Sequence, residues 1–216
     1  MTEQTVHFPA GSLQLEGLLS LASGDKGVVI THPHPLYGGD MHNNVVDTLA
    51  RVYRQHNYTT LRFNFRGVGG SQGHYDEGEG EQEDIKAALN YLLGQGKTRL
   101  DLAGYSFGAW VSALARTAQD KVQRMIMVAP PVDFCDFHNV RSLPKLALVI
   151  TGDRDEFAPP AAIAGLLPEW NPAARLEIIA GADHFYGAHT RALAAIVVSA
   201  MRRCSSLIEA PRGACP

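Results

Sequence analysis

The stretch best placed for covalent chemistry is Gly104-Tyr105-Ser106-Phe107-Gly108, a serine with a glycine two residues to either side. Upstream, Arg99-Leu100-Asp101-Leu102-Ala103 reads as the end of a strand. Downstream, Trp110-Val111-Ser112-Ala113-Leu114-Ala115 contains no Gly or Pro and reads as a helix. A sharp strand-to-helix turn lifts the hydroxyl clear of a sheet, where a base can reach it. Such a turn strains the serine backbone, and side chains at 104 and 108 would crowd it. Five letters alone recur by chance; the two flanking elements give the pattern its weight.

A serine hydroxyl needs a general base beside it. Nine histidines compete for that role. His184, in Gly181-Ala182-Asp183-His184-Phe185-Tyr186, falls between the last strand and the last helix and is the expected base. His189 begins that helix, and His7, His56 and His138 read as surface residues. The base in turn needs a carboxylate to fix its tautomer. Asp153 and Asp155, in Thr151-Gly152-Asp153-Arg154-Asp155, and Asp133 after the preceding strand all qualify by position.

Acyl transfer through Ser106 also requires two N–H groups aimed at the developing oxyanion. One is expected from Phe107, at the start of the helix. The other should come from His32-Pro33-His34-Pro35-Leu36-Tyr37-Gly38-Gly39, which follows the strand Gly27–Thr31. Pro33 and Pro35 have no N–H. His34, Leu36 and Tyr37 remain, and Leu36 or Tyr37 is favoured because the prolines stiffen the approach and the glycine pair relaxes the exit.

Elements that would carry these residues alternate along the chain. Residues 5–21 read as a hairpin broken near Pro9-Ala10-Gly11. The apolar runs Gly27–Thr31, Thr59–Phe65, Met125–Val128, Leu146–Ile150 and Arg175–Ala180 read as strands. Helical spacing marks Val45, Val46, Leu49, Val52 and Tyr53, with Asn43 or Asn44 as cap. It recurs in Ile85, Leu89, Leu92 and Leu93, in 159–167 and in 189–203. This order predicts an α/β fold, a mostly parallel sheet with helices on both faces. His32, Arg66, Ser106, Asp153 and His184 then all fall at carboxyl ends of strands, where function gathers in such sheets.

Bulk properties exclude other classes. The 216 residues suit one domain, 1–204, with a loosely ordered tail at 205–216. A net charge of -3 offers no footprint for nucleic acid or acidic lipid. No uncharged apolar run approaches membrane-spanning length. Three scattered cysteines, Cys135, Cys204 and Cys215, suggest reduced thiols in a cytoplasmic setting. His32, His34 and His42, with Asp40, match no zinc spacing, and Gln72 spoils any dinucleotide loop at Gly67-Val68-Gly69-Gly70. No metal or cofactor is expected.

Serine, acid and histidine in that chain order resemble the α/β-hydrolase superfamily, and the resemblance spans the whole fold. It implies Asp155, three residues after Gly152, as the acid. Phe63-Asn64-Phe65-Arg66-Gly67-Val68-Gly69-Gly70-Ser71 is similar to that superfamily's Arg-Gly-x-Gly-x-Ser loop. Its usual His-Gly oxyanion loop is altered here, with Pro33 in place of the glycine. His-Pro-His-Pro-Leu-Tyr-Gly-Gly and Ala103–Trp110 look like one bacterial group described only as predicted hydrolases. Acyl transfer from an ester to water through Ser106, His184 and Asp155, as in a carboxylesterase with a serine nucleophile, is the expected activity. Only 129–145 separate two successive strands, too short for a helical lid. A shallow, open pocket lined by Tyr37, Tyr105, Phe107, Phe134, Phe157 and Tyr186 is therefore expected, acting on short-chain esters with low selectivity and little interfacial activation. Thioesters, aminoacyl amides, or a binding role without catalysis are the alternatives. The expected state is a monomer or weak homodimer.

Overall fold

The structure is a computed structural model describing residues 2–208, with side chains to 202. Eight strands form one sheet in the order β1-β2-β4-β3-β5-β6-β7-β8. β1 (Gln4–Ala10) and β2 (Leu13–Ser20) make the expected hairpin, and β2 runs antiparallel to β4 (Thr59–Phe63). β3 (Lys26–Thr31), β4, β5 (Arg99–Tyr105), β6 (Val122–Val128), β7 (Leu146–Gly152) and β8 (Arg175–Ile179) are mutually parallel.

Successive strand residues face opposite sides of a sheet. In β3, Val28, Val29 and Ile30 are all fully buried, so both faces of the centre are covered. The covering helices are α1 (Asn44–Gln55), α2 (Glu79–Gly94), α3 (Phe107–Leu114), the single turn α4 (Arg116–Gln119), α5 (Pro160–Trp170) and α6 (Thr190–Ile208). α1 packs on α6, and α2 on α3. Asn43 caps α1 through its Oδ1, which accepts the Val45 N–H. At α2, Glu81 turns back to accept the Gly78 and Asp76 N–H groups. Asp84 points inward onto Arg66, joining the loop after β4 to this helix.

Two boundaries differ from the sequence reading in ways that matter. β5 extends to Tyr105, because β6 continues alongside it and pairs Tyr105 with Val128. α6 runs through 205–208, expected to be tail; the rest of that expected tail, 209–216, lies outside the described residues. Between β6 and β7 the chain has no helix or strand, so no lid covers the carboxyl edge there. Among the described residues no helix is long and apolar enough to cross a membrane.

Candidate active site

Ser106 stands where β5 turns into α3, with φ 53° and ψ -121°. A side chain in that region is strained by about 1–3 kcal/mol, and surrounding structure must hold it. Here the Ser106 N–H is tied to the Val128 carbonyl at 2.9 Å, and its own carbonyl accepts from Ala109 and Trp110. The flanking glycines are required sterically. A Cβ on Gly104 would lie 2.6 Å from the Gly108 oxygen, and one on Gly108 would lie 2.7 Å from the His32 oxygen.

Three side chains from three loops meet at this turn. Ser106 Oγ lies 2.9 Å from His184 Nε2, and His184 Nδ1 lies 2.9 Å from both oxygens of Asp155. The Asp155 carboxylate is fully buried, and its Oδ1 also accepts the Phe157 and Ala158 N–H groups. Asp153 is occupied elsewhere: it is exposed and accepts the Gly181 N–H, bracing the loop that carries His184. Asp133 is exposed and makes no contact with the histidine in this network. The His184 backbone is fixed by Tyr105, whose hydroxyl donates to the His184 carbonyl at 2.8 Å.

The loop after β3 departs from expectation. Leu36 and Tyr37 sit in a short 3-10 turn, Pro35–Tyr37, and their N–H groups are consumed there. Leu36 N–H donates to His34 Nδ1, and Tyr37 N–H to the His34 carbonyl. Neither is left for an oxyanion, which corrects the preference for them. Among the described residues, the His34 N–H has no acceptor within the protein. Its direction is set from behind. His32 Nε2 accepts the Phe65 N–H, so the ring proton is on Nδ1, which donates to the Pro33 carbonyl at 2.7 Å. Across the trans Pro33–His34 peptide, N–H and C=O point opposite ways. Phe107, first in α3, has no intrahelical acceptor for its own N–H.

Both loop histidines are held neutral. Burial lowers the pKa of His32 to about 4, against the bond to Pro33, which raises it. Burial also lowers that of His34. His34 Nδ1 already accepts an N–H, so the ring proton is on Nε2, which donates to the Tyr75 hydroxyl at 3.3 Å.

A cavity of about 540 Å³ opens over Ser106. Tyr37, Tyr105, Phe107, Phe134 and Phe157 line it as expected. Tyr186 does not: it is fully buried, packed edge to face behind Tyr105 with its hydroxyl toward the Ile150 carbonyl. A φ of 56° at Tyr186 turns the chain, and Phe185, missed in the sequence, faces the cavity instead. The His34 ring, directly after Pro33, and Cys135, four residues after Pro131, were also missed; both lie in loops whose direction no periodicity encodes.

An eight-stranded, mostly parallel sheet carrying a serine on its central strand-to-helix turn, with His and Asp in hydrogen-bonding series, defines a serine-hydrolase architecture. Residues 28–212 match the model of the alpha/beta hydrolase family, and the chain belongs to that family. An uncharacterised protein of Rickettsia prowazekii is 32% identical over 193 residues, 84% of this chain and 81% of that protein. Among solved structures, an alpha-beta serine hydrolase homologue from Coxiella burnetii is 37% identical with a TM-score of 0.84, covering 92% of this chain and 97% of that one. A serine hydrolase without a lid from Xanthomonas campestris is 34% identical with a TM-score of 0.83, covering 94% and 95%.

Proposed function

We propose that the protein hydrolyses small carboxylic esters through an acyl-enzyme on Ser106. The observation that carries this reading is the unbroken series from Ser106 Oγ to His184 Nε2 and from His184 Nδ1 to Asp155, with both contacts at 2.9 Å. His184 takes the hydroxyl proton as Ser106 attacks the carbonyl carbon, and returns it to the departing alcohol. Water then attacks the acyl carbon, giving a proton to His184, which passes it to Ser106 Oγ as the acyl–oxygen bond breaks and the acid leaves. Asp155, held by two backbone N–H groups, keeps the imidazole in the tautomer that leaves Nε2 free to accept. The oxyanion is bound by the N–H groups of Phe107 and His34, the latter in place of Leu36 or Tyr37. Without a lid the site is permanently open, which favours dissolved short esters over aggregated lipid.

Thioesters remain compatible with the same machinery. An aminopeptidase role is disfavoured, because among the described residues no Asp or Glu lines the cavity to hold a substrate ammonium. A binding protein without turnover has no use for the strain kept at Ser106. Fluorophosphonate labelling separates the readings: wild-type protein should be labelled on Ser106, and Ser106→Ala should not. With a short-chain ester, Asp155→Asn should lower kcat by about 10³–10⁴-fold, whereas Asp153→Asn stays within a few-fold. Absence of labelling in folded wild-type protein, or the opposite ranking of the two aspartates, would refute the assignment.

A further inference from the structure

We propose that the group this cavity selects is an uncharged aromatic ring carried by the ester, in preference to an aliphatic group of the same size. The position of the reacting bond rests on the ester-hydrolase reading; the ring preference rests on separate observations. The chain has eight Phe, seven Tyr and two Trp. Only Tyr37, Phe134, Phe157 and Phe185 are exposed, and all four line this one cavity. Single exposed aromatics are ordinary, but convergence of all of them on one opening marks a recognition surface.

Their mutual geometry suits another ring. Phe134 meets Tyr37 at 6.0 Å and 68°, and Phe157 at 5.9 Å and 84°. Phe185 stands at 88° to the His184 imidazole, 5.8 Å away. Rings set edge to face present both electron-rich faces and positive edges to whatever enters. A planar guest can answer both; a cyclohexyl group of equal bulk answers neither and is held by area alone.

Charge is excluded by the same wall. Among the described residues no Lys, Arg, Asp or Glu lines the cavity. Its His34 is neutral, burial pushes the Cys135 thiol up to about 11, and the Tyr105 hydroxyl is bound to the His184 carbonyl. A carboxylate, phosphate or ammonium on the substrate would lose water there and gain no oppositely charged side chain.

The test compares matched ester pairs, each kcat/KM divided by the rate of the same ester with hydroxide. Ethyl phenylacetate is set against ethyl cyclohexylacetate, and benzyl acetate against cyclohexylmethyl acetate. The aromatic member of at least one pair should be favoured by about 2- to 10-fold. The pair that shows it tells whether the ring sits on the acyl or the alcohol side. Phe134→Leu should bring that ratio toward one, and a carboxylate on the ring of the favoured ester should lower kcat/KM by at least about tenfold. Ratios at or below one in both pairs, or equal rates for the carboxylated ester, would overturn the proposal while leaving the esterase intact. If no ester is turned over, the esterase reading fails instead. Ring selection is then read from binding of benzyl alcohol against cyclohexylmethanol to wild-type protein by ligand-observed NMR, where equal affinity overturns it.

Discussion

At His32, a fully enclosed imidazole with a backbone partner at each nitrogen, local chemistry reaches into the stability of the whole chain. Its pKa falls from 6.5 to about 4 on folding. Between those values the unfolded chain binds a proton that the folded one refuses, so stability falls as pH drops through 6.5 and levels off below about 4. The loss should total about 3 kcal/mol. Urea unfolding at about pH 7.5 and about pH 4.5 measures it, and His32→Gln, which cannot take up the proton, should flatten that difference. An unchanged difference in the variant would remove His32 as its source. Single residues were unevenly legible. Ser106 and His184 could be read because each follows a strand, and position after a strand fixes which edge of the sheet a residue reaches. Position alone left Asp133, Asp153 and Asp155 open, and the resemblance pointed to Asp155. Between Leu36, Tyr37 and His34 no such rule applies. The choice depends on which N–H groups a 3-10 turn consumes, and that turn is capped by the His34 ring itself.

β5, the turn and α3 act as one rigid elbow, and their glycines carry a measurable load. A methyl on Gly104 would press on the Gly108 oxygen and the Ala109 backbone, neither of which is a flexible side chain. Gly104→Ala should therefore cost about 1–3 kcal/mol, read as a fall of several degrees in thermal midpoint. Gly94→Ala, at the end of α2 with nothing within 4 Å, should cost nothing. Equal behaviour of the two variants would show that the elbow is not crowded. Element types were legible from hydrophobic spacing, whereas their ends were not. β5 outlasts its apolar run because β6 pairs with it up to Val128, and α6 outlasts the expected boundary at Arg203. Tyr186 escaped for a similar reason: its positive φ follows from the packing of its loop, not from its residue type.

Across the whole molecule, the fold sets Ser106 and His184 on supports of unequal strength. The serine rises from β5, paired on both sides by β3 and β6. The histidine hangs from β8, an outermost strand bonded only to β7, with Ile178 half exposed and Arg175, Leu176 and Glu177 incompletely covered. Marginal strands at a sheet border open at lower free energy than the centre. Mild denaturant should thus undock the imidazole while the interior is still native. Ester turnover and the amide-exchange protection of Arg175–Ile179 should decline together, ahead of the global circular-dichroism transition. Coincident loss of all three signals would mean that β8 is as firmly seated as the core. Such an enzyme would switch off by fraying at one border and recover without refolding.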